Sequence, residues 1–193
     1  VKATMAKMAS GQGFGYSTTV GGASIGIGFS DNLGATADRT DGETASDANA
    51  TSSTSFSVSY DVMDSLTVKG GVGSEGQGDG KELDHTTLGF VYSFGPAKIG
   101  YQLNDEDDSA SGGTDRETEI YAVSFMVNEN LSLSHGAHNT EKSRDPDEPK
   151  ADSFQASYSM GGISINLKDS EMKNVGHGVK SQETTEVLVS FAF

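Results

Sequence analysis

The feature that most constrains the fold is a two-residue alternation of apolar and small polar side chains, which recurs in segment after segment of the 193-residue chain. Phe56, Val58 and Tyr60, for example, alternate with Ser57 and Ser59. A period of two is that of a β-strand, because successive side chains of a strand point to opposite faces of the sheet. The pattern predicts an all-β fold with about eleven or twelve strands, each about 8 to 11 residues long, the length of a tilted strand that crosses a bilayer.

The connections between these segments alternate between short and long. Tight turns such as Gly21-Gly22 and Gly161-Gly162 join the two strands of a pair. Long polar segments join one pair to the next, roughly residues 31–52, 74–84, 104–116, 139–150 and 170–182. Outer-membrane barrels have short turns on the periplasmic side and long loops outside. Residues 1–193 are therefore predicted to form a single domain, a transmembrane antiparallel up-and-down β-barrel.

The composition agrees with a membrane barrel better than with the alternative, a soluble antiparallel sandwich. Only 34% of the residues are hydrophobic, 25 are Gly and the mean hydropathy is -0.43, which is little material for a water-excluding core. The face opposite the aromatic residues carries Ser, Thr, Gly and Gln, with few of the Lys and Glu typical of a water-exposed sheet. An enclosed, wet interior is the better explanation of that second face.

Composition also excludes several function classes. No apolar run reaches about 18 residues, so a transmembrane helix is excluded, and no basic-plus-apolar signal peptide opens the chain, which is expected to be processed or truncated. The chain has no Cys, which excludes disulfides, zinc-thiolate sites and a cysteine nucleophile. A net charge of -15 argues against nucleic-acid binding, since the 13 Lys and Arg form no basic stripe.

The last eight residues and an early hairpin resemble a known family. Residues 186–193, Glu-Val-Leu-Val-Ser-Phe-Ala-Phe, resemble the closing strand of Gram-negative porins, which ends on a Phe. Residues 14–29 look like a porin hairpin that turns through Gly-Gly, and the acidic, Gly-rich style is similar to that of alphaproteobacterial general porins. The resemblance implies a homotrimer in the bacterial outer membrane, in contact with lipid and lipopolysaccharide. It also implies that the barrel assembly machinery recognises Val187, Val189, Phe191 and Phe193.

Two sizes of barrel fit this resemblance. In the favoured interpretation the chain is the C-terminal portion of a porin of about sixteen strands, and residues 1–13 lie next to its constriction loop. In the other, residues 1–9 form a strand themselves and complete a barrel of about twelve strands, because single-chain bacterial barrels have an even strand number.

The residues opposite the aromatic face are predicted to line a pore. A hydrophilic lining with both signs of charge would let ions and small solutes pass, and its lysines would select ions by sign. The charged and amide members of the predicted lining are Asp61, Lys69, Lys98, Gln102, Gln155, Asn166, Lys168 and Glu186.

Acidic clusters between the alternating segments are weak candidates for calcium or magnesium binding. Carboxylate oxygens are the ligands that these ions take, although none of the clusters has the spacing of a twelve-residue calcium loop. They are predicted to be solvated loops that divalent cations could bridge to lipopolysaccharide phosphates. No other cofactor is predicted. The candidate ligands are Asp105, Asp107, Asp108, Asp145 and Asp147.

Nothing in the sequence singles out an enzyme. No nucleophile motif is present, and His135 and His138 should point to opposite faces of a strand, so they cannot chelate one metal ion. The sequence predicts a passive porin for small hydrophilic solutes and ions. The alternative that it leaves open is a structural or adhesion barrel with acidic surface loops and a blocked interior.

Overall fold

The computed structural model describes residues 2–8, 11–32, 52–78, 81–143, 147–175 and 178–192. These residues form twelve β-strands, in agreement with the predicted all-β fold. None of the described segments forms a helix long and apolar enough to cross a membrane. The strands are β1 (Lys2–Met8), β2 (Gly11–Val20), β3 (Ala23–Asn32), β4 (Ser52–Met63), β5 (Leu66–Gly78), β6 (Lys81–Phe94), β7 (Ala97–Asp108), β8 (Arg116–Met126), β9 (Leu131–Lys142), β10 (Lys150–Met160), β11 (Ile163–Lys173) and β12 (Gln182–Phe191).

Every strand is hydrogen-bonded to its neighbours in chain order, from β1 through to β12. The pairs from β1 to β4 and from β8 to β12 are antiparallel. This is an up-and-down meander rather than a sandwich, in which two sheets pack face to face. By contacts the chain divides into two units. Unit 1 comprises Val1–Asp61, Val68–Leu88 and Asn104–Asp115, and unit 2 comprises Val62–Thr67, Gly89–Leu103 and Arg116–Phe193.

The apolar side chains of the sheet do not form a water-excluding core. Among the described residues, the buried hydrophobic side chains are Leu83, 3% exposed, and Ala97, 6% exposed. Large residues such as Phe14, Phe56 and Phe125 are each at least 45% exposed. An apolar face this open is stable only against an apolar environment or another protein surface.

Tight Gly-Gly turns fix the register of two hairpins. Gly161 and Gly162 have φ of 59° and 83°, and Gly21 and Gly22 have φ of 58° and 85°. Two consecutive positive φ values are those of the type I′ turn, whose twist matches that of the two strands it joins. The turn at Gly161-Gly162 pairs Met160 with Ile163, and from there the register of β10 and β11 runs for the length of both strands.

Several strands extend beyond the ends that the sequence pattern predicts. Strand β5 continues to Gly78 and β6 begins at Lys81, so most of the predicted long connection at 74–84 is strand. In the same way β7 continues to Asp108, β9 to Lys142 and β11 to Lys173. The predicted loops were too long, because the polar ends of these strands lack apolar alternation and are held by backbone pairing instead. The connections after β7, β9 and β11 are nevertheless longer than the tight turns.

The beginning of the described chain is a strand. Residues Lys2–Met8 form β1, which pairs with β2 from Lys2 opposite Ser17 to Met8 opposite Gly11. The alternative in which residues 1–9 are a strand describes this segment correctly, apart from the two end residues, which lie outside the described part. The predicted closing residue Phe193 and the acidic residue Asp145 also lie outside it.

Candidate functional site

The paired strands of unit 2 carry two chemically different faces. In an antiparallel pair, residues directly opposite each other point to the same side, so the register defines rows of side chains that run across the sheet. One side, which we call the apolar face, carries the row Phe125, Leu133, Ala156, Leu167 and Val187. The opposite side, which we call the polar face, carries the row Ser124, Ser134, Gln155, Lys168 and Glu186.

The same division holds in unit 1. Tyr16, Ile27 and Phe56 are cross-strand partners on one side of β2, β3 and β4. On the other side Gly26 lies between Ser17 and Ser57. The approach there is close, because a Cβ on Gly26 would lie 2.7 Å from the Ser57 hydroxyl oxygen. Hydroxyl and glycine positions therefore form the polar side of both units.

Hydroxyl groups and amides on the polar face are hydrogen-bonded across the strands. The Ser157 hydroxyl donates to Asn166 Oδ1 at 2.7 Å. The hydroxyls of Ser153 and Ser170 lie 3.0 Å apart, and Thr87 donates to Asn104 Oδ1 at 2.9 Å. These bonds satisfy polar groups that would be costly in lipid, and they leave the face hydrophilic.

All the predicted pore-lining residues lie within strands, at positions that alternate with apolar-face residues. Three of them come together in one row, where Lys168 lies opposite Gln155 on one side and Glu186 on the other. Asn166 lies in the next row toward the tight turn. Gln102 lies beside Gly89, where an added Cβ would be 3.3 Å from Gln102 Cα. Asp61 and Lys69 belong to unit 1 and Lys98 to unit 2. Their role in a pore stays a prediction.

The polar face of β8 to β12 also carries a groove of about 440 Å³. Its floor is a row of small residues, Ala122, Gly136, Ser153, Ser170 and Thr184. The row on the side remote from the Gly161-Gly162 turn has larger members except for its alanine, and it consists of Ile120, His138, Ala151, Met172 and Gln182. Lys168 lines the opposite side. The sequence did not reveal this groove, because only the register brings five small residues from five strands into one row.

The apolar face of unit 2 becomes polar in the half remote from the tight turns, which the sequence pattern did not predict. The next row beyond that of Phe125, away from the tight turn, contains Val123, His135, Phe154, Asp169 and Thr185. The row beyond it contains Tyr121, Ala137, Asp152, Glu171 and Glu183. The Thr185 hydroxyl donates to Asp169 Oδ1 at 2.7 Å. Only the rows nearest the turn are wholly apolar in β9 to β12.

The acidic and histidine candidates are separated by strand alternation. Asp105, Asp107 and Asp108 belong to β7 rather than to a loop, so Asp108 points to the side opposite the other two. Asp147 lies in the connection before β10. Across the described segments, no three acidic or histidine side chains are grouped to hold a metal ion. His135 and His138 lie on opposite faces, as predicted, and both are in the middle of β9.

The predicted assembly signal lies on the apolar face at the end of the described chain. Val187, Val189 and Phe191 pair with Leu167, Ile165 and Ile163 of β11, and their exposures are 66%, 46% and 58%. The three side chains thus form one continuous apolar stripe along β12. Recognition of this stripe by other proteins stays a prediction.

Comparison of the structure with solved structures identifies the fold. An anion-selective porin from Comamonas acidovorans matches with a TM-score of 0.72 and 16% identity, over 94% of this chain and 59% of that one. A porin refined at 1.8 Å resolution matches with a TM-score of 0.71 and 15% identity, over 95% and 62%. The outer-membrane expressed OmpT of Vibrio cholerae matches with a TM-score of 0.58 and 11% identity, over 91% and 61%.

These matches confirm the predicted fold class. The chain has the antiparallel up-and-down β-barrel fold of the bacterial porins, and it spans about three fifths of the length of these three solved structures. No family model and no curated protein matches the sequence. At identities this low the likeness lies in the fold, and function must be argued from the two faces.

Proposed function

We propose that the protein is a porin of the bacterial outer membrane that forms a water-filled channel for the passive diffusion of small hydrophilic solutes and ions. The observation that carries the proposal is the division of successive strands into an exposed apolar face and a hydroxyl-rich polar face, in a chain with the porin fold. In a transmembrane barrel the apolar side meets lipid and the polar side lines the interior.

The polar face supplies what a diffusion channel needs. Its hydroxyls and amides can replace part of the water around a solute without holding the solute tightly, and its charges set a field that favours one sign of ion. Passage by diffusion breaks and forms no covalent bond. The proposed activity therefore needs neither a catalytic residue nor a cofactor.

The apolar stripe on β12 supports the proposed contact with the barrel assembly machinery. Val187, Val189 and Phe191 lie along one exposed edge of the apolar face, where an extended partner segment could contact them. Substitution of all three by Ser should reduce the amount of assembled protein in the outer membrane without changing its synthesis. Immunoblotting of outer-membrane and soluble fractions measures this, and unchanged assembly would contradict the proposal.

The polar half of the apolar face, remote from the tight turns, supports the proposed contacts with lipopolysaccharide and with a second copy of the protein. Carboxylates such as Asp152 and Glu183 lie beyond the apolar rows, where each could be bridged to a lipopolysaccharide phosphate through Ca²⁺ or Mg²⁺. His135 and Asp169 lie one row closer to the turn, where contact with a second copy of the protein, as in a trimer, would avoid their exposure to lipid. The mass of the detergent-extracted complex tests the contact between copies, because it gives the number of chains. A loss of mass when a chelator is added tests the contact with lipopolysaccharide through cations.

The central experiment compares two neighbouring residues of β10 on opposite faces. The chain has no Cys, so Ser157→Cys and Ala156→Cys each introduce a single reactive thiol. In planar bilayers, a charged, membrane-impermeant thiol reagent should reduce the single-channel current of Ser157→Cys and leave that of Ala156→Cys unchanged. Stepwise currents that respond equally in both variants would contradict the assignment of the faces. A folded, membrane-inserted protein that never conducts would instead support a structural or adhesion barrel.

A further inference from the structure

We infer that the groove on the polar face of β8 to β12 is a binding site for zwitterionic α-amino acids with an apolar side chain. The inference rests on the proposed function, since it makes the groove a recognition site in the channel wall. Its volume of about 440 Å³ lies within the range of about 300–1,000 Å³ typical of small-molecule sites.

Lys168 lines one side of the groove, and Glu186, which is not part of the lining, is its neighbour on β12, so that the pair fits a ligand with both signs of charge. Lys168 and Glu186 are directly opposite each other on β11 and β12. Residues so placed have Cα atoms about 4.5–5.5 Å apart and side chains on the same face, so the two charged ends can reach the neighbouring carboxylate and ammonium of one α-amino acid. In the part of the chain that the structure describes, neither the side chain of Lys168 nor that of Glu186 has a hydrogen bond or an ion pair, so both charges are available.

The other side of the groove fits an apolar side chain. Ile120, Ala151 and Met172 lie in the row beyond the floor, and Ala122 forms part of the floor itself. The apolar side chain of the ligand would lie on these residues while its charged end faced Lys168 and Glu186. A sugar would bury little apolar surface against these residues. An apolar anion without an ammonium would place its own carboxylate beside the unpaired carboxylate of Glu186.

Ligand binding is measured by saturation-transfer NMR on the detergent-solubilised protein, which does not depend on channel activity. The probes are leucine, glycine, leucinamide, which lacks the carboxylate, and 4-methylpentanoate, which lacks the ammonium. Leucine is expected to bind about fivefold or more tightly than each of the other three, because each lacks one of the proposed contacts.

Three variants assign the contacts. Lys168→Gln should weaken leucine about fivefold and leave leucinamide unchanged, whereas Glu186→Gln should weaken leucine and leave 4-methylpentanoate unchanged. Ala122→Leu fills the floor and should abolish leucine binding while both charges remain. Lys98→Gln is the matched control on the polar face outside the groove and should bind leucine as the unsubstituted protein does. Far-UV circular dichroism verifies that each variant is folded.

The outcomes separate this inference from the proposed channel. Leucine binding that depends on Lys168, Glu186 and Ala122 supports the site even if no current is measured, in which case only the proposed channel fails. Normal currents without leucine binding overturn the site and leave the channel standing. Equal binding of leucine and 4-methylpentanoate, unaffected by Glu186→Gln, overturns the zwitterion and indicates a site for apolar anions.

Discussion

Ile165→Arg should strongly destabilise the protein, because it places a charge on the apolar face. Ile165 lies between Tyr158 and Val189 and is 40% exposed. Its row is the second of the three wholly apolar rows, counted from the Gly161-Gly162 turn. Adjacent rows are two residues apart along each strand. Because the strands are tilted, this spacing corresponds to about 5 Å along the membrane normal. Arg costs about 2–4 kcal/mol at the bilayer midplane and about 0–1 kcal/mol near the interface, so we expect a loss of about 2–3 kcal/mol here.

Asn166→Arg is the matched control, since the next residue of β11 lies on the polar face. The substitution removes the hydrogen bond from the Ser157 hydroxyl, 2.7 Å long, and places the new charge in water. A partly exposed hydrogen bond of this kind contributes about 1 kcal/mol or less. The two adjacent variants should therefore differ by about 1–3 kcal/mol in the free energy of unfolding. Ile163→Arg, one row closer to the turn, should be less destabilising than Ile165→Arg.

The assay is equilibrium unfolding by guanidinium of the protein inserted in lipid vesicles. Far-UV circular dichroism is the suitable signal, because the chain has no Trp. Equal destabilisation by Ile165→Arg and Asn166→Arg would refute the assignment of the faces. If neither variant is destabilised, the apolar face is not in contact with lipid at this row, and the row would have to face protein or water.

Three further predictions follow from the turns, the close approaches and the charges. Gly161→Ala should lower the free energy of unfolding by about 1–2 kcal/mol in the same assay, because φ is 59°, a conformation that is strained for Ala. Gly161→Asn should lower it less, since Asn tolerates this conformation better and no atom lies within 4 Å of an added Cβ. Gly89→Ala should cost about 1–3 kcal/mol, since its Cβ would lie 2.7 Å from a backbone oxygen of β7, while Gly100→Ala, with its nearest atom at 3.7 Å, should change stability little. Equal effects of the last two would contradict the register. Lys98→Glu should shift the reversal potential in a salt gradient toward cation selectivity, and Lys150→Glu, at the loop end of β10 and paired with Glu148 at 2.9 Å, should not. A shift of similar size in both would show that Lys98 has no special place in the proposed channel.

Sequence reasoning worked best where the information is local. The alternation around Phe56 and the glycine pair at Gly161-Gly162 identify a strand and a turn from a few neighbouring residues, and both are present in the structure. It failed at the outer ends of strands such as β7, where Asp105 and Asp107 read as a loop. Those ends have no apolar alternation, and backbone hydrogen bonds to neighbouring strands extend them.

The sequence by itself determined that the chain is made of strands with one apolar and one polar side, because side-chain direction in a strand depends only on whether a position is odd or even. It also determined which residues belong to the polar side. Only the tertiary structure decided which of them meet, such as Lys168 with Glu186, and where His135 and Asp169 lie among apolar neighbours. The physical reason is that register is set by hydrogen bonds between distant segments, and a shift of two residues would keep every face and change every neighbour.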